Sequence, residues 1–367
     1  MSRPQRNGMS VVPNGRGRHA KRALVTGGAG FIGSHLIEQL LRDGYSVTAL
    51  DNLSSGSLDN IAHLDDVRFV MGDTADEETL DELVAESDVV FHLAAAVGVR
   101  LILADPIESF RTNVLGTEAV LRAADRHRVK VLIASTSEVY GKVARLPQQE
   151  DDDVLVGPTS VSRWSYAACK MLDEFIGLAY ARRGLPVVCF RLFNTVGPRQ
   201  TGVYGMVVPR FVDAALRGDP LPVHGDGSQS RCFLHVRDAV SAIVRLERSQ
   251  RAVGQVFNIG STQSVTILEL AERVLQTVQR RKGLAEMLRS TVNGATDAQI
   301  ELVPYAEAYP GRDFEDIPAR QPSVEKLQSV TRWRAKHDLD DILRDVVNSR
   351  VEALSPVAEE IAVSAIA

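Results

Sequence analysis

A chain of 367 residues with 44% hydrophobic and 24% charged side chains can bury a large core and has the balance of an ordinary soluble globular protein. No apolar run approaches the roughly 20 residues that span a bilayer, and residues 1–20 hold no signal-peptide core. A membrane protein is therefore excluded from the reading, and a cytoplasmic location is expected. The net charge of −5 is uneven: residues 1–22 carry six basic and no acidic side chains, leaving −11 on the remainder. That basic stretch, rich in Gly, Pro, Ser and Asn, reads as a disordered tail (1–20), and neither a nucleic-acid nor a membrane partner is expected. Cys169, Cys189 and Cys232 are odd in number, widely spaced and without a ligand pattern. They read as reduced packing thiols, with no metal implied.

In chain order, Ala23–Thr26 is a short β-type run that enters a glycine-rich turn. A helical pattern follows over Ser34–Asp43, and Gly44 closes it. The next strand, Ser46–Leu50, ends at Asp51. Further strands are predicted at Val67–Met71, Val89–Leu93, Lys130–Ser135 and Val187–Leu192. Helices are predicted between them at Glu77–Glu86, Pro106–Arg126 and Ser165–Arg182. This alternation predicts an α/β fold with a doubly wound parallel sheet over residues 21–195. Beyond about 195 the pattern loosens into Gly- and Pro-bearing loops, which predicts a smaller substrate-binding lobe over 196–350. Elements from 230–260 return to the first domain, and 351–367 reads as a tail.

Gly27, Gly30 and Gly33 form G-x-x-G-x-x-G between the first strand and the first helix. Such glycines allow a tight turn, a close backbone approach to a pyrophosphate, and tight packing of the helix whose N-terminus faces the anion. Phe31 and Ile32 lie within the same turn. Asp51 arrives 21 residues after Gly30, where a carboxylate accepts hydrogen bonds from ribose hydroxyls and repels a 2′-phosphate. NAD is therefore expected rather than NADP. Asn52 follows Asp51, Asp73 comes after the third strand within reach of the adenine, Leu93 ends the fourth, and Ala94 and Ala95 follow it.

Tyr166 and Lys170 stand one helical turn apart and share a face. An ammonium beside a phenol favours the phenolate and is expected to bring its pKa from about 10 toward neutrality. Lys170 can also bond the nicotinamide ribose. Thr136, at the end of a buried strand, is placed to share a substrate hydroxyl proton with Tyr166.

With these motifs the chain resembles the extended short-chain dehydrogenase/reductase family of nucleotide-sugar epimerases, dehydratases and decarboxylases. The resemblance runs from about Lys21 to Leu343 through Thr-Gly-Gly-Ala-Gly-Phe-Ile-Gly-Ser (26–34), His-Leu-Ala-Ala (92–95) and Thr-Ser-Glu-Val-Tyr-Gly (136–141). It continues through Tyr-x-x-x-Lys, Arg-Leu-Phe-Asn-Thr-Val-Gly-Pro-Arg (191–199) and Gly-Asp-Gly-Ser-Gln-Ser-Arg (225–231). It implies a Rossmann fold, a bound NAD recycled in each turnover and a UDP-sugar substrate. It also implies a homodimer in which Pro106–Arg126 and the Tyr/Lys helix pack as a four-helix bundle. On the substrate side it implies contacts from Ser137, Arg163, Asn194, Val223, Arg231 and Arg312. A regulatory homologue without chemistry would be expected to lack the tyrosine or the lysine, and both are present.

Three reactions share oxidation at sugar C4 and then diverge. Glu138, two residues past Thr136, suits a proton transfer near C5 or C6, which dehydration and decarboxylation need and simple 4-epimerisation does not. Val156-Gly157-Pro158, Arg163-Trp164-Ser165-Tyr166, Tyr309–Asp316 and Ala319-Arg320-Gln321-Pro322-Ser323 resemble UDP-glucuronate decarboxylases, and this likeness nominates Arg320 as a further catalytic residue. His92–Val99 is more epimerase-like, and Ser137 weakens the likeness to dTDP-glucose dehydratases. Decarboxylation leads, with 4-epimerisation and then 4,6-dehydration as alternatives.

Overall fold

The computed structural model describes residues 20–96, 105–202, 206–281, 298–309 and 316–353. Its first strands are β1 (Arg22–Thr26), β2 (Ser46–Asp51), β3 (Val67–Met71), β4 (Val89–His92), β5 (Lys130–Thr136) and β6 (Val187–Leu192). Short strands follow: β7 (Thr195–Val196), β8 (Leu221–His224), β9 (Ser230–Cys232) and β10 (Leu234–His235). The last are β11 (Gln255–Ile259), β12 (Ser264–Thr266), β13 (Ile300–Val303) and β14 (Ala319–Arg320).

Seven of these form one sheet in the order β3-β2-β1-β4-β5-β6-β11, every neighbouring pair parallel. The predicted strands appear within a residue or two of their expected ends. β11, which the periodicity did not single out as a strand, completes the edge beside β6. The order reverses between β1 and β4, and at such a switch point the strand C-termini open a crevice for ligand.

Both faces are covered, which explains the nearly unbroken apolar runs in the strands. On one face pack α1 (Phe31–Arg42) and, later in the chain, residues Val236–Arg248 and Glu325–Thr331. Leu36, Ile37, Leu40, Ile243, Phe257 and Trp333 make a continuous core there. The other face carries α2 (Glu77–Ala85), whose N-cap Asp76 accepts from the Thr79 amide. Next comes α3 (Pro106–Phe110), a π-helical turn over Arg111–Leu115, and α4 (Gly116–His127). The sequence pattern reads this stretch as one helix. The π turn carries Asn113, whose side chain accepts from the Ala96 amide at 2.9 Å and bonds the Ala96 carbonyl at 3.3 Å. An extra residue in the turn thus ties the helix to the segment leaving β4.

α5 (Trp164–Arg182) completes this face. It lies close to the sheet because Gly177 presents no side chain; a Cβ there would stand 2.8 Å from Ile133 Cδ1.

The remaining helices are α6 (Val207–Arg217), α7 (Val236–Arg248), α8 (Ile267–Gln279), α9 (Tyr305–Ala308), α10 (Glu325–Thr331) and α11 (Leu339–Ala353); α7 and α10 pack on the sheet, and the others build the second lobe. Phe211, Val212, Leu270, Val274, Ile342 and Val346 fill its core. Its strands pair as β12-β9-β14 and β13-β8. Cys169, Cys189 and Cys232 are buried and unbridged. Among the described residues no helix is long and apolar enough to cross a membrane, and no group of three or more His, Cys, Asp or Glu side chains could hold a metal.

Phe257 is fully buried on the edge strand β11, so its burial tests whether that strand belongs to the cooperative core. Phe257→Ala is expected to cost roughly 3–5 kcal/mol in urea unfolding.

Candidate active site

A cavity of about 540 Å³ runs along the C-terminal ends of β1, β2, β4 and β5 and continues into the second lobe. It is lined by Gly27, Gly30, Phe31, Ile32, Gly33, Asp51, Asn52, Asp73, Leu93, Ala94 and Ala95 at one end. At the other end lie Thr136, Ser137, Glu138, Arg163, Tyr166, Lys170, Asn194, Arg231 and Arg320.

The turn at the first end tolerates no side chains where it is tightest. Gly27 has φ +71°, and a Cβ there would meet the Ala94 amide at 2.8 Å; a Cβ on Gly33 would lie 2.1 Å from the Gly27 carbonyl oxygen. The backbone is therefore bare where a pyrophosphate would lie against the start of α1. Asp51 Oδ2 accepts from the Ala29 amide at 2.9 Å and Oδ1 from the Leu53 amide at 2.8 Å. Each oxygen keeps a further lone pair for a ribose hydroxyl. Asp73 accepts from the Asn52 side chain and the Ala75 amide, at 2.6 and 2.8 Å. These residues fit a dinucleotide with an unphosphorylated ribose.

Behind the turn sits His92, 1% exposed. Thr26 Oγ1 lies 2.8 Å from its Nδ1 and Thr117 Oγ1 lies 3.0 Å from its Nε2. Burial, helped by the nearby Lys170 charge, drops its pKa to about 3, so the imidazole is neutral. It links β1, β4 and α4 and takes no part in the cavity.

Tyr166 and Lys170 occupy the first two turns of α5, with Thr136 opposite at the end of β5. The expected drop in the Tyr166 pKa is not found. Burial pushes the phenol above its ordinary value, and the charges of Glu138 and Asp173 push the same way against a hydrogen bond with Thr136. Lys170 does not offset this, because its ammonium is matched by Asp173, 2.9 Å away.

Glu138 also differs from expectation. Rather than a free acid, it is a carboxylate held between two guanidinium groups. Arg163 Nη1 lies 2.9 Å from Oε2, and Arg320 Nη1 bonds Oε1. Burial alone would raise its pKa, but Arg320 and Arg163 overcome this and bring it to about 2. The Arg320 Nε is buried without a hydrogen-bond partner. Register explains why a second arginine is close: parallel pairing of β14 with β9 sets Arg320 beside Arg231. Arg231 is held in turn by Asp316 at 2.9 Å. Burial and then Arg320 lower the Arg231 pKa to about 10. Asn194, at φ +31°, lies in the cavity and bonds the Cys232 carbonyl through Nδ2 at 3.0 Å.

One nominated residue, Val223, does not line the cavity, and another, Arg312, is not among the described residues. Val223 is fully buried in the core of the second lobe, because the pleat of β8 turns it inward and presents Pro222 and His224 to the cavity instead. Val97–Val99 and Tyr204 likewise lie outside the described residues. The sequence reading missed Asp173 and Tyr305, and gave His224, Tyr309 and Asp316 no role of their own. The ring centroids of His224 and Tyr309 stand 5.2 Å apart. An aspartate three residues after Lys170 could have been noticed as a same-face partner, whereas nothing local marks Tyr305.

Residues 23–260 match the model of the NAD dependent epimerase/dehydratase family. The chain is 42% identical over 329 residues to a UDP-N-acetyl-alpha-D-glucosaminuronate decarboxylase of Bacillus cytotoxicus, covering 89% of this chain and 97% of that one. It is 33% identical to UDP-glucuronic acid decarboxylase 1 of Danio rerio, covering 89% and 72%. Among solved structures it resembles a UDP-N-acetylglucosamine 4-epimerase from Methanobrevibacter ruminantium M1 in complex with UDP-N-acetylmuramic acid. That likeness has a TM-score of 0.78 at 28% identity and covers 91% of this chain and 99% of that one.

The pairing of Glu138 has a measurable consequence. Its carboxylate pKa lies below the ordinary 4.5 in the folded chain, so it contributes stability above that value that is lost as pH falls toward about 2. Glu138→Gln is expected to lower the unfolding free energy at neutral pH by about 3–5 kcal/mol, by leaving two buried arginines short of a counter-charge. In denaturant titrations the gap between the two proteins should narrow with acidification below pH 4.5.

Proposed function

The chain belongs to the NAD dependent epimerase/dehydratase family, and we propose that it is an NAD-dependent decarboxylase of a UDP-linked uronate. The observation that carries this reading is the pair of arginines around Glu138, set in the same cavity as Tyr166 and Lys170. The two guanidinium groups have ten N–H donors between them, more than one glutamate uses. The unpartnered Nε of Arg320 is one of the spares. A substrate carboxylate beside C5 is a match for such donors, which favour planar, bidentate oxyanion pairs. A neutral hexose has no group that calls for them.

Bound NAD⁺ supplies the acceptor for the two electrons that leave sugar C4. Gly27, Gly30, Gly33 and Asp51 hold it, and Lys170 orients its nicotinamide ribose. Tyr166 takes the proton of the C4 hydroxyl, with Thr136 sharing the hydrogen bond. The resulting 4-ketone places the C5 carboxylate β to a carbonyl. Carbon dioxide leaves as the C5–carboxylate bonding pair moves into the C4–C5 bond, giving an enolate that Arg320 and Arg163 stabilise. C5 is then protonated, and the C4 ketone is either reduced by the NADH formed in the first step, which restores NAD⁺, or released as the 4-keto sugar. Ser137, Asn194 and Arg231 contact the sugar and diphosphate. Both UDP-glucuronate and its 2-acetamido counterpart fall within this class, in keeping with the two kinds of decarboxylase relative.

We also propose a cytoplasmic homodimer. Ile107, Phe110 and Leu115 are exposed beside Leu172 and Phe175 of the adjoining α5, and Phe175 is 66% exposed. Large apolar side chains on two neighbouring helices are what a four-helix dimer seam would cover. Phe175→Glu is expected to shift the protein from dimer to monomer in analytical ultracentrifugation; an unchanged mass in both proteins would remove this seam.

Incubation with each UDP-uronate and NAD⁺, followed by mass spectrometry, should show loss of carbon dioxide. An isomer of unchanged mass would establish epimerisation instead, and loss of water from a neutral UDP- or dTDP-hexose would establish dehydration. Tyr166→Phe should bind NAD⁺ normally and turn over about 10²–10⁴-fold more slowly.

A further inference from the structure

We infer that Asp173 is a positioning residue of the redox site, fixing the Lys170 ammonium from behind the cavity and setting a negative charge against Tyr166. This deepens the C4-oxidation reading and rests on it.

Asp173 and Lys170 are 0% and 2% exposed, and Asp173 Oδ2 accepts from Lys170 Nζ at 2.9 Å. Lys170 lines the cavity; Asp173 does not. An ammonium has three N–H donors. Asp173 therefore engages one of them from the core side and leaves two for the cavity, where ribose hydroxyls would accept them. The i,i+3 spacing on α5 makes this a rigid arrangement, since both groups ride on the same two turns.

The other oxygen, Asp173 Oδ1, is buried with no hydrogen-bond partner. Burial pushes the Asp173 carboxyl upward while Lys170 and then Thr117 hold it down, and the single Thr117 hydroxyl proton goes to the Asn113 carbonyl at 2.6 Å. Thr117 Oγ1 accepts from His92 Nε2, and His92 Nδ1 accepts from Thr26 Oγ1. Thr26 Oγ1 in turn accepts from the Ala94 amide at 3.2 Å. That chain is complete without Asp173, so Lys170 is its one strong partner.

Two carboxylates, Glu138 and Asp173, push the phenol upward, and of the two only Asp173 is paired with the lysine that would lower it. On α5, Glu174 is bonded by Arg191 of β6 at 2.7 and 2.9 Å. Glu138, beyond β5, is held by Arg163 and Arg320. His92 on β4 is neutral, and burial raises the thiol pKa values of Cys169 on α5 and Cys189 on β6. A lysine without Asp173 would draw the phenol toward its ionised form. With Asp173 in place the pair is nearly neutral, and Tyr166 stays protonated to higher pH.

Two substitutions separate the two effects. Asp173→Asn keeps an oxygen for Lys170 and removes the charge, whereas Asp173→Ala removes both. By calorimetry the Asn variant should bind NAD⁺ within about threefold of the parent and the Ala variant about tenfold more weakly. In single-turnover formation of NADH from a UDP-uronate, the rate rises with pH as Tyr166 ionises. For Asp173→Asn that limb should move to lower pH by about one unit. A merely structural aspartate would change unfolding without moving the limb. The inference is overturned if the limb stays in place for the Asn variant and the Ala variant binds NAD⁺ like the parent. If the parent turns over no UDP-uronate, the proposed reaction fails, and the NAD⁺ affinities alone decide Asp173: parent-like binding by the Ala variant rejects its role, and a tenfold loss upholds it.

Discussion

At and behind the reacting end of this cavity, buried charges stand in opposite-signed groups. Lys170 goes with Asp173, Glu138 with Arg163 and Arg320, Glu174 with Arg191, and Arg231 with Asp316. Each unpaired member would face a desolvation penalty of several kcal/mol, so the groups have to be assembled together or not at all. The partners come from separate elements. Glu138 follows β5 of the main sheet, whereas Arg320 belongs to β14 of the second lobe. The ion pair at the reacting end is thus also a bond between the lobes. A chain that folded its sheet without docking the second lobe would leave Glu138 with one guanidinium group instead of two.

The local chain determined most of the sheet. Runs such as Val131–Ser135 and Val187–Leu192 are buried on both faces, so their apolar continuity shows directly in the residues. The glycine turn was equally legible, because Gly27 and Gly33 answer to contacts within the turn and with the neighbouring strand. The π turn at Arg111–Leu115 was not. It depends on Asn113 meeting the backbone of Ala96, a contact between distant residues that helical periodicity cannot register. The same is true of β11, which lies too far from its partner β6 in sequence to declare its neighbour.

At the site, residue types were legible and their electrostatic states were not. Tyr166, Lys170, Glu138 and Arg320 could be nominated from motif and likeness, and all four line one cavity. A pKa, however, belongs to a neighbourhood. The phenol was expected to be easily ionised because Lys170 is one turn away, but the relevant field includes Asp173 and Glu138. Glu138 was expected to hand over a proton because a carboxyl group stands beside the sugar. Two arginines that approach it only through the tertiary fold make it a poor acid. The Val223 side chain turns into the core for a simpler reason: alternation along a four-residue strand decides which side chains line the cavity, and Pro222 and His224 take those places.

These corrections bear on which reaction the site favours. If Glu138 is a clamped carboxylate, its part is to position the arginines, and the proton delivered to C5 has to come from elsewhere, such as Tyr166 once it carries the C4 hydroxyl proton. The same clamp separates decarboxylation from epimerisation. A 4-epimerase has to let the ketone turn over so that its opposite face meets the cofactor. A uronate tied through its carboxylate to Arg163 and Arg320 is anchored at C5, next to the atom that would have to turn. Anchoring therefore raises the barrier to rotation while it holds the carboxylate next to guanidinium groups that favour the enolate left by carbon dioxide. One arrangement of two arginines thus weighs against one outcome and for the other, without any change in the tyrosine and lysine that start the reaction.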